Sequence, residues 1–398
     1  MTTVWFVSSL EQKGGGERFA LEAVAALRDR GVDARIVCDR LDEAASFDGR
    51  YDLDGVICTG EPYNGATSYL RRVMSKARGL VGLFGILKRM RPEIVVCQSE
   101  YDAIKIYLLS RVLGFRYRVY VFGQMFQFRT DISRYSRTFR RHLETIVASR
   151  PGYVSTVAMP PPRFSPGVTL VNEIVSRLKY FAIRSADRIF TLSDQVKWEV
   201  SLLYGRDDAV TLPAAFDESF INEAAILQPR PVGRPVRLLS VCRLAEKKRV
   251  ELTISGFSES SLPGELILVG TGPEEARLHS LAGASRRSQD IHFLGSVDDD
   301  QLRDELARAD CFISMDIGDY DISVVEAMAR GLRVIVPQDF DLSAFAPGFT
   351  GVIQVAPTTD AVERAISSIE QMSAPGPANL AALKKQTWQH IAQIVAAS

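Results

Sequence analysis

Residues 308–337 restrict the fold most, because a short apolar run, an acidic loop, a helical pattern and a second apolar run follow one another there. Residues 310–315 and 332–336 have the length of buried strands, and residues 322–330 have the spacing of a helix that Gly331 ends. Strand, loop, helix and strand make a βαβ unit, in which ligands lie at the carboxyl ends of the strands. The free amides of the helix N-terminus favour an anion there.

The same alternation of apolar runs and helical patterns covers the chain in two series. The first series predicts strands at residues 4–8, 34–38, 55–58, 94–97, 118–122, 188–192 and 209–212. The second series predicts strands at residues 237–242, 265–270, 291–294, 311–314, 333–336 and 351–355. We therefore predict an α/β protein with two Rossmann-like, doubly wound parallel sheets. Two such domains imply a cleft between them.

Prolines and glycine with little periodicity mark a boundary between the two series. We expect an N-terminal domain at residues 1–216, a linker at 217–235 and a C-terminal domain at 236–375. Residues 376–398 are expected to form a last helix that packs back on the N-terminal domain.

The charge balance argues against a global field for nucleic acid, since Lys plus Arg and Asp plus Glu both number 48. We expect no nucleic-acid partner. The five cysteines lie singly in or beside apolar runs, which predicts buried thiols in a reducing cytoplasm. The N-terminus has no signal-peptide pattern, and the longest apolar run, residues 80–87, is too short to span a bilayer.

Two segments are locally basic. Residues 69–91 have helical apolar spacing and seven cations without an acid, and residues 116–150 hold eight arginines against two acids. A basic amphipathic helix is able to lie on an anionic lipid surface, so we expect peripheral contact with the inner face of the membrane. The alternative is that the apolar stripe of residues 69–91 covers the sheet and its charges are a solvated face. For residues 123–168 we favour an acceptor-binding or membrane-facing loop.

Four sequence features carry the candidate chemistry. The first is the glycine run before the first helix, where Gly15 and Gly16 leave backbone amides free for phosphate or sugar hydroxyls. A flexible turn without a ligand is the alternative.

The second feature is Arg243, directly after a strand, with Lys248 entering a helix. Cations oppose the dipole of a helix N-terminus, so a bound anion or acidic neighbours must offset them.

The third feature is the loop with Gly270, Gly272 and Pro273, which opens a helix and permits close backbone approach. It lacks the third glycine of a dinucleotide fingerprint.

The fourth feature is the acidic loop of the βαβ unit, where Ser323 and Glu326 fit a capping box. Asp319 and Asp321 also match an Asp-x-Asp pattern that some sugar transferases use for a divalent metal, but cations and a helix N-terminus are already available. We expect no metal and no cofactor.

These features together resemble the retaining, nucleotide-sugar-dependent glycosyltransferases of family 4, which have the GT-B fold. The Gly-Arg-Leu-x-x-x-Lys loop of that family matches residues 242–248, and its Val-Gly-x-Gly-Pro loop matches residues 269–273. Its last strand pair matches residues 309–310 and 326–331, and its Gly-Gly-x-Glu element matches residues 14–18. The resemblance covers nearly the whole chain.

The resemblance implies a role for each candidate residue. Arg243 and Lys248 neutralise a diphosphate, and Glu326, as the second glutamate of a Glu-x7-Glu motif, holds the ribose hydroxyls. The backbone amides around Asp321, Ile322, Ser323 and Val324 hold sugar and phosphate. The chain departs from the family at the first glutamate, where Gly318 stands beside Asp316 and Asp319. The usual first-domain histidine is also missing after Phe122.

We therefore expect a cytoplasmic, metal-independent enzyme that moves a sugar from a nucleoside diphosphate to a glycan or glycolipid, in cell-surface polysaccharide synthesis. The main rival is a catalytically degenerate partner subunit of the same fold that binds nucleotide or glycan, which Gly318 motivates. A dinucleotide-dependent oxidoreductase is the third alternative, and the incomplete glycine fingerprint disfavours it.

Overall fold

The structure is a computed structural model of the 398-residue chain. It describes residues 2–11, 14–42, 49, 51–59, 69–122, 166–213, 215–228, 235–316, 321–338, 340, 342 and 349–397. Contacts between residues divide the chain into two compact units. The first unit comprises Met1–Ala215 and Trp388–Ser398, and the second comprises Phe216–Thr387.

The first unit is built on a sheet of seven parallel strands in the order β3-β2-β1-β4-β5-β6-β7. Its strands are β1 (Thr2–Leu10), β2 (Asp33–Leu41), β3 (Ile57–Cys58), β4 (Ile94–Cys97), β5 (Arg116–Val121), β6 (Arg188–Thr191) and β7 (Val210–Thr211). The strand order reverses between β1 and β4, so a crevice forms beyond the carboxyl ends of these two strands.

Helices follow the strands of this sheet. They are α1 (Gly15–Asp29), α2 (Tyr69–Met90), α3 (Glu100–Leu113), α4 (Pro166–Arg184) and α5 (Asp194–Tyr204). The side chains of Ser99 and Ser193 cap α3 and α5 at their N-termini. The same two helices end at Gly114 and Gly205, whose left-handed backbones glycine adopts without strain. One core packs α2 to α5 against one face of the sheet.

The second unit has six parallel strands in the order β10-β9-β8-β11-β12-β13. Its strands are β8 (Val236–Val241), β9 (Gly264–Val269), β10 (Ile291–Gly295), β11 (Cys311–Ile313), β12 (Arg333–Pro337) and β13 (Val352–Val355). Its helices are α6 (Glu223–Leu227), α7 (Val250–Glu259), α8 (Glu275–Gly283), α9 (Asp299–Arg308), α10 (Ile322–Ala329), α11 (Thr359–Ser367) and α12 (Pro377–Leu383). Separate cores cover its two faces.

These two parallel-sheet units confirm the predicted α/β class with two Rossmann-like domains. The structure differs from the sequence-based boundaries in residues 217–235. A 3-10 turn, Glu218–Phe220, and α6 lie there within the second unit, and the Asn222 amide donates to the Ala329 carbonyl at 2.8 Å. Phe220 and Ile226 are buried in that unit, which explains why part of this proline-rich segment is structured.

The C-terminal region also differs, because residues 376–398 form two helices. The first is α12 in the second unit, and the second, α13 (Trp388–Ala397), belongs to the first unit. The indole of Trp388 meets the Phe19 ring of α1 edge to face, with centroids 5.2 Å apart. The buried guanidinium of Arg118 donates to the Val395 carbonyl. The helix α13 therefore covers the face of the first sheet that also carries α1.

The cysteines differ in part from the expectation of buried thiols. Cys38, Cys97 and Cys311 are buried, but Cys242 is half-buried and Cys58 is exposed at the edge strand β3. Among the described residues, no helix combines the length and the apolarity that a bilayer crossing needs.

Candidate active site

Three loops of the second unit gather at one edge of its sheet. They follow β8, β9 and β11, which are neighbours in the strand order, so their carboxyl ends lie side by side. The loop after β8 carries Arg243, the loop after β9 carries Gly270 to Pro273, and the loop after β11 leads into α10. This edge is where an open parallel sheet binds its ligands.

The loops after β8 and β9 are fastened by backbone hydrogen bonds. The Leu244 amide donates to the Thr271 carbonyl at 2.9 Å, and the Glu274 amide donates to the Leu244 carbonyl at 3.0 Å. A Cβ on Gly270 would lie 2.0 Å from the Cys242 carbonyl oxygen, and one on Gly272 would lie 2.2 Å from that of Leu244. Both glycines are therefore required by the packing of one loop on the other. Pro273 is exposed beside them.

Lys248 lies at the end of a 3-10 turn, Glu246–Lys248, and most of its side chain is buried. Its ammonium forms an ion pair with Asp316 and is 3.9 Å from the Asp321 Oδ2 atom. Burial by itself lowers the pKa of Lys248, but the carboxylates of Asp321 and Asp316 outweigh it and hold this pKa well above its ordinary value. The acidic neighbours expected for this cation are thus Asp316 and Asp321.

Asp321 is the N-cap of α10. Its Oδ1 atom accepts from the Ser323 amide at 3.0 Å, and its Oδ2 atom accepts from the Ser314 hydroxyl at 3.0 Å. The capping box expected for Ser323 and Glu326 is therefore wrong, because the helix begins at Ile322 and Ser323 is already inside its first turn. Glu326 and Val324 are buried, whereas Ile322 and Ser323 are half-buried.

Asp316 differs from Asp321 in how its oxygens are satisfied. Asp316 is 8% exposed, and its Oδ2 atom accepts from the Lys248 ammonium. Its Oδ1 atom is buried without a hydrogen-bond partner among the residues that the structure describes. Burial raises the pKa of Asp316, Lys248 opposes that rise and Asp321 adds to it.

Arg249 is a site residue that the sequence did not reveal. It is buried, and its backbone is left-handed with φ of 47° directly before α7. Its Nε atom donates to the Met315 carbonyl at 2.6 Å, and a terminal nitrogen donates to the Asp316 carbonyl at 3.3 Å. The cationic run before an apolar helix was the available signal, but the family motif ends at Lys248.

No described contact joins the remaining predicted residues to this group. Arg243 is exposed one residue beyond Cys242, while Gly318 and Asp319 lie outside the residues that the structure describes. Gly15 and Gly16 belong to the first unit, where they open α1 after β1. The Gln98 side chain beyond β4 donates to the Gly16 carbonyl at 3.3 Å, and a Cβ on Gly16 would meet nothing within 4 Å.

The carboxylates of the site are arranged around an ammonium. Within the described part of the chain, no group of three or more His, Cys, Asp or Glu side chains has the arrangement of a metal site. Asp316 and Asp321 both face Lys248, so the cation between them here is a side chain.

The two parallel sheets, with three loops converging at the carboxyl edge of the second, define a GT-B protein. Comparison with family models agrees with this class. Residues 14–214 match the glycosyl transferase 4-like domain, and residues 225–386 match glycosyl transferases group 1. The chain belongs to the glycosyl transferase 4-like family, and it is a glycosyltransferase.

Solved structures are similar over the whole chain. HepE of Anabaena, solved in complex with UDP, has a TM-score of 0.71 at 14% identity, covering 100% of this chain and 99% of its own. Sucrose-phosphate synthase of Thermosynechococcus elongatus has a TM-score of 0.71 at 15% identity and full coverage of both chains. The lipopolysaccharide outer core galactosyltransferase WaaB has a TM-score of 0.67 at 12% identity, covering 100% of this chain and 98% of its own. Comparison with curated protein sequences gives no significant match.

Proposed function

We propose that the chain transfers a sugar from a nucleoside diphosphate to a glycan or glycolipid acceptor with retention of anomeric configuration. The observation that carries this proposal is the buried Lys248 ammonium beside the N-terminus of α10, at the carboxyl edge of the second sheet. A cation and a helix N-terminus at one place favour a phosphate group.

The site residues take the roles that the resemblance gives them. Arg243 and Lys248 meet the diphosphate, and Glu326 holds the ribose hydroxyls. Helix geometry leaves the amides of Ile322 and Val324 without an intrahelical acceptor, so they are available to phosphate or sugar oxygens. The Ser323 amide already donates to the Asp321 side chain, so it binds the ligand only when that hydrogen bond is broken.

The remaining predicted residues also have proposed roles. Gly270, Gly272 and Pro273 shape the loop beside Arg243, and Gly318 and Asp319 flank the donor sugar in the proposal. Gly15 and Gly16 offer the α1 N-terminus of the first unit to the substrate. The open space at Gly16 supports this role, since no contact within the described part of the protein requires a glycine there.

The chemistry needs charge stabilisation more than a separate base. As the anomeric bond breaks, negative charge grows on the departing diphosphate, and preorganised cations and amides stabilise that charge. A phosphate oxygen on the face that the acceptor enters takes the acceptor proton as the new glycosidic bond forms. This route gives retention, and it requires neither a first-domain histidine nor a metal.

UDP-sugars are the first donors to test. HepE was solved with UDP and with UDP-glucose, and the pneumococcal transferase GtfA was solved with UDP and GlcNAc. We propose a UDP-sugar, with GDP-sugars as the alternative, and a cytoplasmic place in polysaccharide synthesis. The similarity to WaaB, a lipopolysaccharide outer core galactosyltransferase, supports a cell-surface glycan acceptor.

A donor panel tests the proposal. Purified protein is incubated with UDP-, GDP- and ADP-sugars, and release of the nucleoside diphosphate is measured with and without glycan acceptors. We expect turnover with one nucleotide class. Nucleotide binding without turnover of any donor favours the degenerate partner subunit, and binding of a nicotinamide dinucleotide instead favours the oxidoreductase.

A further inference from the structure

The group formed by Lys248, Asp316 and Asp321, here called the lysine triad, is poorly matched to an anionic ligand. One ammonium and two carboxylates give a formal charge of +1 − 2 = −1. Both carboxylates are at least nine-tenths buried, so solvent screens them little. A diphosphate that approaches Lys248 therefore also approaches an excess of negative charge.

The two carboxylates differ in how their oxygens are satisfied. Asp321 accepts hydrogen bonds on both oxygens, from the Ser323 amide and the Ser314 hydroxyl. Asp316 has the Lys248 ammonium on Oδ2, while Oδ1 is buried without a partner in the described part of the chain. A buried carboxylate oxygen without a donor is the place where a proton is least costly.

The other charged groups around Asp316 leave Lys248 as its main partner. Lys247 and Lys248 face it from the 3-10 turn, and Asp321 faces it from α10. Burial raises the pKa of the Cys242 thiol beyond β8 to about 12, so this thiol remains neutral. Arg249 gives its hydrogen bonds to the Met315 and Asp316 carbonyls. Lys248 is thus the principal group that keeps Asp316 ionised.

From this geometry we propose that Asp316 takes up a proton when a nucleoside diphosphate binds, and thereby acts as a positioning residue for Lys248. The diphosphate draws the ammonium away from Asp316, a solvent proton adds to the Asp316 carboxylate, and the formal charge of the lysine triad rises from −1 to 0. The neutral acid gains an O–H donor. This inference rests on the proposed function, because it requires a diphosphate at Lys248.

The consequence is a pH dependence of affinity. Because the complex binds one more proton than the free protein, nucleotide affinity falls as pH rises between the pKa of Asp316 in the free protein and its higher pKa in the complex. Within that window the loss approaches tenfold per pH unit. Below the window Asp316 is already protonated, and the dependence disappears.

Titration calorimetry with UDP tests this directly. Wild type and Asp316→Asn are titrated at several pH values in phosphate and Tris, whose ionisation heats differ, and the number of protons exchanged is obtained for each. The protons that UDP itself releases or takes up on binding are the same for both proteins, so they cancel in the difference between wild type and Asp316→Asn. We expect wild type to take up as much as one proton more than Asp316→Asn, and Asp316→Asn to bind UDP at least tenfold more tightly at pH 8. Asp304→Asn, an exposed carboxylate on α9, is expected to match wild type.

Equal proton exchange in wild type and Asp316→Asn overturns the inference while leaving the proposed function in place. If Asp316→Asn does not fold, wild type decides alone with UDP-glucose, whose diphosphate has no proton that titrates near neutral pH. Net proton uptake then has to come from the protein, and its absence at every pH tested refutes the inference. Failure of wild type to bind UDP, GDP or ADP at any pH instead refutes the proposed function.

Discussion

The Nε atom of Arg249 donates to the Met315 carbonyl at 2.6 Å, joining the start of α7 to the loop that leaves β11. A second donor of the same guanidinium reaches the Asp316 carbonyl. One buried side chain thus holds together the two segments that supply Lys248 and its carboxylate partner. Three helices and three strands lie between them in the sequence, so this contact is a product of the tertiary fold.

Replacing Arg249 with alanine should destabilise the second unit. The change leaves two buried carbonyls without their charged donor, and hydrogen bonds to charged groups contribute about 1.5–3 kcal/mol each. We expect a loss of about 2–4 kcal/mol in urea unfolding. Arg286→Ala is the matched control, since Arg286 also donates to two carbonyls, at 2.7 and 2.6 Å, but at an exposed position. Equal losses for both variants would contradict a special role for Arg249.

Replacing Arg243 or Lys248 with alanine should reduce turnover with an identified donor. Each cation is proposed to meet charge that grows on the leaving diphosphate, and loss of one such group typically costs about 10²- to 10³-fold, or roughly 3–4 kcal/mol. Normal turnover in both variants would refute the site assignment.

The two variants should differ in stability. Arg243 is exposed, so Arg243→Ala should change unfolding by no more than about 1 kcal/mol. Lys248→Ala leaves two buried carboxylates without their ammonium and should cost about 3–5 kcal/mol. Lys247→Ala, an exposed neighbour, is the control for Lys248.

The cap of α10 gives a third prediction. Asp321→Ala removes the side chain that accepts from the Ser323 amide, and loss of such a cap costs about 0.5–2 kcal/mol. Loss of the acceptor for the buried Ser314 hydroxyl adds to this cost. Ser323→Ala should cost less than about 0.5 kcal/mol, because Ser323 does not cap the helix. Chemical denaturation of the two variants measures both losses. A larger loss for Ser323→Ala than for Asp321→Ala would support the capping box of Ser323 and Glu326 instead.

A fourth prediction concerns lipid. On α2, Val81 is 70% exposed and the neighbouring surface includes the exposed Arg78, Lys88 and Arg89. If this face contacts anionic lipid, sedimentation with anionic vesicles should fall steeply with salt, because each cation near such a surface contributes about 1 kcal/mol and is screened. Changing these three cations to Gln should weaken binding more than the same change at Arg286, Lys384 and Lys385. Absence of binding at low salt supports the solvated-face interpretation.

The sequence predicted the fold because apolar runs and glycines indicate individual strands and helix ends. The apolar runs of β8 to β13 and the glycine that ends α10 are visible without a structure. The cap of α10 was assigned to Ser323 because Asp321 and Ser323 are both good caps, and only the long-range contacts of Asp321 with Ser314 and Lys248 separate them. The local sequence does not show which of these two residues caps the helix.

The C-terminal helices show the same limit. Residues 384–387 contain neither proline nor glycine, so the pattern predicted one continuous helix. In the structure the Phe216 amide donates to the Gln386 carbonyl at 3.1 Å, and Phe216 pairs with Thr387. A partner from a distant part of the chain therefore interrupts the helix, and sequence spacing gives no sign of it.

A fifth prediction tests how α13 is held. Trp388→Ala removes a buried indole that packs on Phe19, and losses of this kind cost about 3–5 kcal/mol. Amides of α1 should exchange with solvent faster in this variant, whereas those of α7 should not. Gln389→Ala, an exposed position on the same helix, should leave both unchanged.

Because α13 completes the first unit, the order of synthesis does not match the order in which the units become complete. The second unit has all of its residues once Thr387 has been added, but the first unit still lacks the indole that packs on Phe19. During translation the earlier sheet therefore has part of its aromatic face uncovered until α13 has been added. A chaperone that shields such a face would act on the first half of this chain.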